Sequence, residues 1–258
     1  MENHVGIQNE NVTEIMIAGV RLHNLPPEAV SDVVQELSGR TAPQRVVFVT
    51  TFDIIRSWFS QGFRRRLETA ALVLPLQKGV QRAAAIAGLE RPNRHMPFQL
   101  IIKLLGAVED QQGSLYVIGG KAYQLEKAES NLKYTFPKLR IVGRFRGHFN
   151  RAMESSLLTA ARKSSPDLLL VGNGVRGGDK WLVKHSGSLP GAICVSAPKV
   201  FEVFAERRRR PSRRLFSSGL GDTARAILLP WHWLSIPFYL IMLIRLLIER
   251  LSRKAATT

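Results

Sequence analysis

Short apolar runs alternate with amphipathic stretches along most of the chain, and each run ends in glycine, proline or a polar turn. The runs that predict strands are residues 15–22 (interrupted at Gly19), 45–50, 70–75, 114–118, 139–143, 167–171 and 192–195. Positions between them recur with the helical period and predict helices. The third strand is expected to end in a loop around Gly79. Strands that alternate with helices predict an α/β fold with a doubly wound, mostly parallel sheet.

Residues 165–181 hold the strongest local pattern, an unbroken apolar strand that ends in a glycine turn and leads into a helix. Gly172, Gly174 and Gly177 spell G-x-G-x-x-G, the pattern in which bare backbone approaches a pyrophosphate. In dinucleotide-binding folds an acidic residue about 20 positions later binds the ribose, but Ala192 stands at that place here. An NAD-dependent oxidoreductase is therefore the weakest interpretation, and this pattern alone favours a turn that binds nothing.

A second glycine turn, Gly119-Gly120-Lys121, follows the predicted strand 114–118. Because the carboxyl ends of parallel strands share one edge of a sheet, this turn and the turn at Gly172 and Gly174 are expected at the edge where doubly wound folds bind ligands. Two glycine turns and a lysine suit a diphosphate. The alternative, that both glycine pairs only let the chain turn, stays open at this point.

The charge of the chain narrows the choice of partner. Its 37 Lys and Arg against 20 Asp and Glu give a formal net charge of +17, which predicts an anionic partner: nucleic acid, a phosphorylated substrate or anionic lipid. Cys194 is the only cysteine, which excludes an internal disulfide and a cysteine metal cluster. Residues 1–12 are polar and lack the apolar core of a signal peptide, so the main domain is expected in the cytosol.

The composition changes at residue 207, where a basic run begins. Its members are Arg207, Arg208, Arg209, Arg210, Arg213 and Arg214. No charged residue occurs in residues 226–244, a length close to the ~20 residues that span a bilayer, and Trp231 and Trp233 supply rings typical of a membrane interface. Basic residues flank this run on both sides, which favours an interfacial or re-entrant anchor over a span.

These observations predict two parts: a main domain of residues 1–206 and a membrane-docking appendage, basic and then amphipathic, of residues 207–258. A nucleic-acid-binding module is disfavoured, because the arginines lie beside an apolar run rather than interleaved with aromatic residues on a sheet.

Several pieces in order resemble the WecG/TagA/CpsF family of bacterial glycosyltransferases. They are residues 71–75, 117–121, 141–143, 147–149 and 166–174, followed by Lys180, Trp181 and His185. The resemblance implies a Rossmann-like domain that transfers a sugar from a UDP-sugar, with inversion, to a polyprenyl-diphosphate-linked acceptor in cell-surface polysaccharide or exopolysaccharide synthesis. It implies that the protein acts at the cytoplasmic face of the bacterial inner membrane. The UDP-sugar is expected as a substrate, with no separate cofactor or metal. Other assembly enzymes and further copies of the chain are additional partners in this interpretation.

The chain departs from that family where the chemistry is expected. The family's loop after the third strand reads Pro-Asp-Gly-x-Gly, and its aspartate is the proposed general base; Leu76 stands in that place here. Leucine cannot take the proton that an attacking hydroxyl must lose. Asp53 and Asp179 are the candidate catalytic replacements, although a helix-start role competes for both. His95 and His148 are further candidates in loops near the same edge, although lone histidines are more often structural. Glu202 falls at the family's Phe-Asp position, where a supporting role competes with a catalytic one.

The resemblance also suggests how the donor is held. Gly119, Gly120, Gly172 and Gly174 would lie against the diphosphate, with Arg225 from the appendage opposite it and Lys121 and Lys180 as weaker candidates. The alternative function is a catalytically silent family member that holds an active glycosyltransferase at the membrane.

Overall fold

The computed structural model of the protein describes residues 7, 9–219 and 236–256. Its strands are β1 (Thr13–Ile17), β2 (Val20–Asn24), β3 (Gln44–Val49), β4 (Leu72–Pro75), β5 (Ser114–Ile118), β6 (Arg140–Phe145), β7 (Leu168–Val171) and β8 (Ile193–Ser196). Six of them form one sheet in the order β4-β3-β8-β7-β5-β6, and every neighbouring pair is parallel. The predicted parallel α/β architecture is confirmed.

The described helices connect these strands and extend beyond them. They are α1 (Val30–Ser38), α2 (Thr51–Phe59), α3 (Gln61–Glu68), α4 (Lys78–Ile86), α5 (Pro97–Asp110), α6 (Ala122–Thr135), α7 (Arg151–Ser164), α8 (Asp179–Lys184), α9 (Pro198–Phe204), α10 (Arg213–Ser218) and α11 (Ile236–Ala256). The loop expected around Gly79 is wrong, because Gly79 lies in the first turn of α4. A Cβ there would come within 2.3 Å of Thr51 Oγ1, so this glycine lets α4 start against α2.

Helices cover both faces of the sheet, and this explains why the strands read as unbroken apolar runs. Along β5, Leu115 and Val117 join the cluster under α1, α5, α6 and α9, whereas Tyr116 and Ile118 join the cluster under α7 and α8. A fully buried side chain of this kind contributes about 1.5–3 kcal/mol. The two buried faces fix the strand register, because a shift of one residue would exchange them.

The β1–β2 hairpin closes the outer edge of β4. Val73 N–H, which points away from the sheet, donates to His23 Nδ1 at 3.0 Å, and His23 Nε2 faces Glu14 Oε1 at 3.5 Å. Burial, reinforced by the charge of Arg21, lowers the pKa of His23. The neutral imidazole therefore accepts the hydrogen bond that a neighbouring strand would otherwise accept. This protects the edge of β4 from pairing with another chain.

The C-terminal helix α11 lies across α2 and α4. Met242 and Leu246 are buried in the cluster of that side, the Arg245 guanidinium lies 5.0 Å from the centre of the Trp58 ring, and Phe238 packs edge-on against Phe59. The opposite face of the helix is apolar and exposed. It carries Leu240, Ile241, Leu243, Ile244, Leu247, Ile248 and Leu251.

Among the described residues, no helix combines the length and the apolar character that crossing a membrane requires. The predicted uncharged run 226–244 lies mostly outside the described residues, as do Arg225, Trp231 and Trp233. The boundary expected at residue 207 stays a prediction.

Candidate functional site

Glycines after β5, β6 and β7 meet at the carboxyl edge of the sheet and lock three loops together. Gly119 N donates to Phe145 O at 3.0 Å, Gly120 N to Asn173 O at 2.7 Å, and Gly147 N to Gly120 O at 2.8 Å. The expectation that the two glycine turns share one edge is confirmed. These N–H groups are engaged inside the protein, which favours a packing role for the glycines that carry them.

The absence of side chains at these glycines makes room for neighbouring atoms. A Cβ on Gly119 would meet Gly172 Cα at 2.8 Å, and Cβ atoms on Gly120 and Gly172 would meet the Phe201 ring at 2.7 and 2.5 Å. Phe201 is fully buried on α9. The glycines therefore let α9 close over the loops, and they form a rigid floor beneath whatever binds above.

The turn that follows this floor has unused donors. In the described part of the chain, the backbone N–H groups of residues 174–177 reach no protein acceptor. Gly174 and Gly177 both have φ near +86°, a conformation that glycine adopts without strain and that turns the backbone before α8 begins. Successive free N–H groups in a turn are a common way to hold an anion.

A cavity of about 1020 Å³ lies above this turn, between the starts of α7 and α8. Its charged lining consists of Arg151, Glu154, Arg176, Lys180 and Lys184. We call this cavity the anion pocket. Within the described residues, its two arginines and Lys180 form no ion pair with a carboxylate, so their charge is available to a ligand. A phosphorylated ligand fits this arrangement of donors and cations.

One wall of the anion pocket is an aromatic stack that ends on a carboxylate. Trp181 packs edge-on against Phe149, with ring centres 6.0 Å apart. Trp181 Nε1 donates to Glu154 Oε1 at 2.7 Å, and His185 Nε2 donates to the same oxygen at 3.1 Å. Burial opposes ionisation of Glu154, but these hydrogen bonds and nearby positive charges outweigh it and lower the pKa of that carboxyl.

The two predicted catalytic aspartates lie outside the anion pocket, and each has a structural partner. Asp53 Oδ2 accepts from Thr50 N at 2.9 Å and from Thr50 Oγ1 at 2.7 Å, which makes it part of the capping box that starts α2. Asp179 Oδ1 accepts from the buried guanidinium of Arg45 at 2.6 Å. The structure therefore gives both acids a role in folding, and their catalytic role stays a prediction.

The start of the appendage lies near the position of Leu76. Leu76 is half-buried, and its N–H donates to Val49 O at 2.9 Å. Lys78 Nζ donates to Ser218 O at 3.0 Å, and the Arg94 guanidinium donates to Phe216 O and lies 4.1 Å from the centre of the Phe216 ring. Helix α10 is thus held close to the end of β4, where the expected base is missing.

The lysines predicted for donor binding lie on the same side of the molecule. Lys180 lines the anion pocket, and Lys121 lines an adjoining cavity of about 300 Å³ that shares His148 with it. Of the predicted donor ligands, Arg225 lies outside the described residues.

The other proposed substitute bases have different surroundings. His95 is buried, its Nε2 donates to Leu25 O at 2.8 Å, and burial lowers its pKa, so it is a structural histidine. Glu202 faces Arg208 at 3.4 Å. Only His148 among the three lines the anion pocket.

Much of the basic run borders a separate cleft of about 990 Å³ beside α5 and α6. Arg207, Arg208, Arg209, Arg210 and Arg213 line it together with Lys103, Phe98 and Tyr134. Arg214 is exposed beside them. The predicted docking cluster is therefore exposed surface rather than part of the anion pocket.

The sequence did not single out Arg151, Glu154, Arg176 or Lys184. A usable signal was present, because α7 follows β6 and α8 follows β7, so the first turns of both helices must start at the ligand edge. Their position opposite one another depends on how the two helices pack, which periodicity does not specify.

The family model described as "Glycosyl transferase WecG/TagA/CpsF family" matches residues 15–256. The chain is 22% identical over 184 residues to the N-acetylglucosaminyldiphosphoundecaprenol N-acetyl-beta-D-mannosaminyltransferase of Bacillus subtilis strain 168, covering 69% of this chain and 70% of that protein. It is 25% identical over 191 residues to the protein of the same name from Bacillus spizizenii strain W23, covering 73% of each.

Proposed function

Because the chain belongs to the WecG/TagA/CpsF family of glycosyl transferases, we propose that it transfers a sugar from a UDP-sugar to a polyprenyl-diphosphate-linked saccharide. The anion pocket holds the diphosphate of the donor. The observation that carries this assignment is the row of unused N–H groups at residues 174–177 beneath the pocket's cations. Charge-assisted contacts of that kind contribute about 1.5–3 kcal/mol each.

The relatives support the acceptor class in this proposal. Both are named for an N-acetylglucosaminyldiphosphoundecaprenol substrate and an N-acetylmannosaminyl group. We propose the same kind of lipid acceptor here, in the synthesis of a bacterial cell-surface polysaccharide or exopolysaccharide. The transfer inverts the anomeric centre in a single displacement, which requires a base for the acceptor hydroxyl.

A lipid-linked acceptor places the enzyme at a membrane surface, and α11 supplies the surface that would meet it. Its exposed apolar face fits insertion into the boundary between headgroups and acyl chains. The arginines of the basic run add attraction to anionic lipid, about 1 kcal/mol each near the surface. The proposed location is the cytoplasmic face of the inner membrane, with a peripheral anchor.

The test of donor binding is a calorimetric titration of the full chain with UDP and with UDP-N-acetylmannosamine. Replacing two of the pocket cations, Arg176→Gln with Lys180→Gln, should weaken UDP binding by about 10²-fold or more. Lys163→Gln is the matched control, because Lys163 is exposed on the far end of α7 and should leave the affinity unchanged. Equal affinities for the double variant and the wild type would contradict the assignment of the pocket.

A second candidate function is a catalytically silent partner of an active transferase. It is favoured by Leu76 at the base position and by the structural partners of Asp53 and Asp179. Such a protein would bind UDP yet release none from a UDP-sugar until the active enzyme is added. Turnover by the purified chain alone would exclude it.

A further inference from the structure

We propose that Glu154 is the general base of the transfer, an inference that rests on the proposed function. An inverting transfer needs a group that takes the acceptor's proton within reach of the donor. Leu76 cannot do so, and the carboxylates of Asp53 and Asp179 are held by Thr50 and Arg45 outside the anion pocket.

Among the described residues that line the anion pocket, Glu154 is the one carboxylate, surrounded by Arg151, Arg176, Lys180 and Lys184. A base must reach the acceptor hydroxyl while the donor is bound. Glu154 lines the same cavity as the turn that we assign to the diphosphate, so a sugar attached there would occupy the cavity that Glu154 lines.

The Glu154 carboxylate is held through one of its two oxygens. Trp181 and His185 both donate to Oε1, whereas Oε2 receives no hydrogen bond in the described part of the chain. The side chain is only 17% exposed, so packing restricts its rotation. One oxygen is therefore anchored and the other keeps its lone pairs for a substrate, as a positioned base requires. The lowered pKa keeps Glu154 ionised at neutral pH.

The anion pocket opens on the side of α7, away from residue 76. Contacts from Lys78 to Ser218 and from Arg94 to Phe216 hold α10 against the start of α4 and the loop before α5, close to the end of β4. The loop after β4 does not line the anion pocket, which opens between the starts of α7 and α8. An acceptor that enters the anion pocket through this opening meets Glu154 of α7 rather than residue 76.

The step balances with these groups alone. The acceptor O–H gives its proton to Glu154 Oε2 while its oxygen forms a bond to the anomeric carbon. The bond from that carbon to the diphosphate oxygen breaks, and UDP leaves with the electron pair. Arg176 and Lys180 offset the charge that develops on the leaving diphosphate. Trp181 and His185 act as positioning residues.

The decisive variant is Glu154→Gln, whose amide oxygen can still accept from Trp181 and His185. UDP release would be measured with UDP-N-acetylmannosamine, UDP-N-acetylglucosamine and UDP-glucose, using a short-chain polyprenyl-diphosphate N-acetylglucosamine as acceptor. We expect turnover to fall by about 10²- to 10⁴-fold while the dissociation constant for UDP stays within about threefold of wild type. Glu126→Gln, at an exposed position on α6, is the control and should keep wild-type turnover.

Chemical rescue separates a base from a merely structural group. Glu154→Ala leaves space for a small carboxylate, so added formate should restore part of the turnover without changing UDP affinity. Turnover of Glu154→Gln within threefold of wild type would overturn the assignment of the base. A wild type that binds UDP but releases none from any of the three donors would also overturn it, in favour of the silent partner. Failure of the wild type to bind UDP would instead refute the proposed function itself.

Discussion

The guanidinium of Arg45, at the start of β3, donates to the carboxylate of Asp179, at the start of α8, across 2.6 Å. Arg45 is 3% exposed, and its other nitrogen donates to Arg66 O and Thr69 Oγ1. One buried cation thus ties α8 to the end of α3. A carboxylate committed to a buried guanidinium is a weak candidate for proton transfer.

Asp179→Asn should therefore act on stability. Removing the charge leaves the buried guanidinium of Arg45 without its anion, and we expect the free energy of unfolding to fall by about 1–3 kcal/mol. Urea unfolding measures this, and UDP titration on the folded variant should give wild-type affinity. A variant of unchanged stability that has lost turnover would instead identify Asp179 as the base.

Asp53→Ala should also be a stability variant. It removes the carboxylate that accepts from Thr50 in the capping box of α2, which we expect to cost about 1 kcal/mol. Turnover per folded molecule should be unchanged in transfer assays.

The variant Leu76→Asp should add no activity to the wild type and should not rescue Glu154→Gln, because residue 76 does not line the anion pocket. Rescue by Leu76→Asp would place the reaction at the end of β4.

Gly172→Ala tests the packing role of the glycine loops. The new methyl group would lie 2.5 Å from the Phe201 ring, and overpacking of this kind costs about 1–3 kcal/mol. Phe201→Leu in the same chain should recover part of that loss in urea unfolding. Gly187→Ala, where no atom lies within 4 Å of the new methyl, is the control. If Gly172→Ala is fully stable yet loses UDP affinity, this glycine contacts the ligand directly.

The two buried histidines predict a loss of stability in acid. The pKa values of His23 and His95 are both lowered by burial, so the unfolded chain binds protons that the folded chain does not. Their contribution is fully present above the unfolded pKa of about 6.5 and is lost as the pH falls below it. His23→Asn keeps an acceptor for Val73 N–H and should flatten the dependence of unfolding free energy on pH in that window. A slope identical to wild type would contradict this origin.

Membrane attachment is best tested on the outer face of α11. Ile244→Glu with Ile248→Glu changes exposed positions, so sedimentation with phosphatidylglycerol vesicles at high salt should be lost while the melting temperature is kept. Leu246→Glu is the contrast, because that side chain is buried against α2 and α4 and the variant should unfold. Deletion of residues 226–258 would remove Met242 and Leu246 from the core as well, so it cannot separate attachment from folding. Unchanged sedimentation of the double variant would exclude this face as the anchor.

The sequence predicted the sheet well because each strand is short, apolar and closed by a turn. The predicted strand 114–118 coincides with β5, and the interruption at Gly19 is the turn of the β1–β2 hairpin. Helix α4 was missed at its start because Gly79 resembles a turn signal. Glycine is needed at position 79 because Thr51, 28 positions earlier in the chain, occupies the space that a Cβ would take.

The site was less predictable, because its charged residues are brought together by packing between helices. Glu154 and Trp181 are distant in sequence, and neither belongs to a spacing motif that requires the other. The glycine fingerprint pointed to the correct edge of the sheet. The hydrogen bonds among the loops show that the N–H groups of residues 174–177, rather than those of Gly119 and Gly120, are left for a ligand.

The mutual hydrogen bonds of the loops after β5, β6 and β7 have a consequence for how a ligand is recognised. A loop that becomes ordered only on binding loses about 1–2 kcal/mol of backbone entropy per residue. This floor is already ordered, so a ligand gains its contacts without that cost, and the backbone should keep its shape when the pocket fills. No single loop can shift without breaking bonds to the other two. Discrimination between one sugar nucleotide and another must therefore arise in the side chains that stand above the floor.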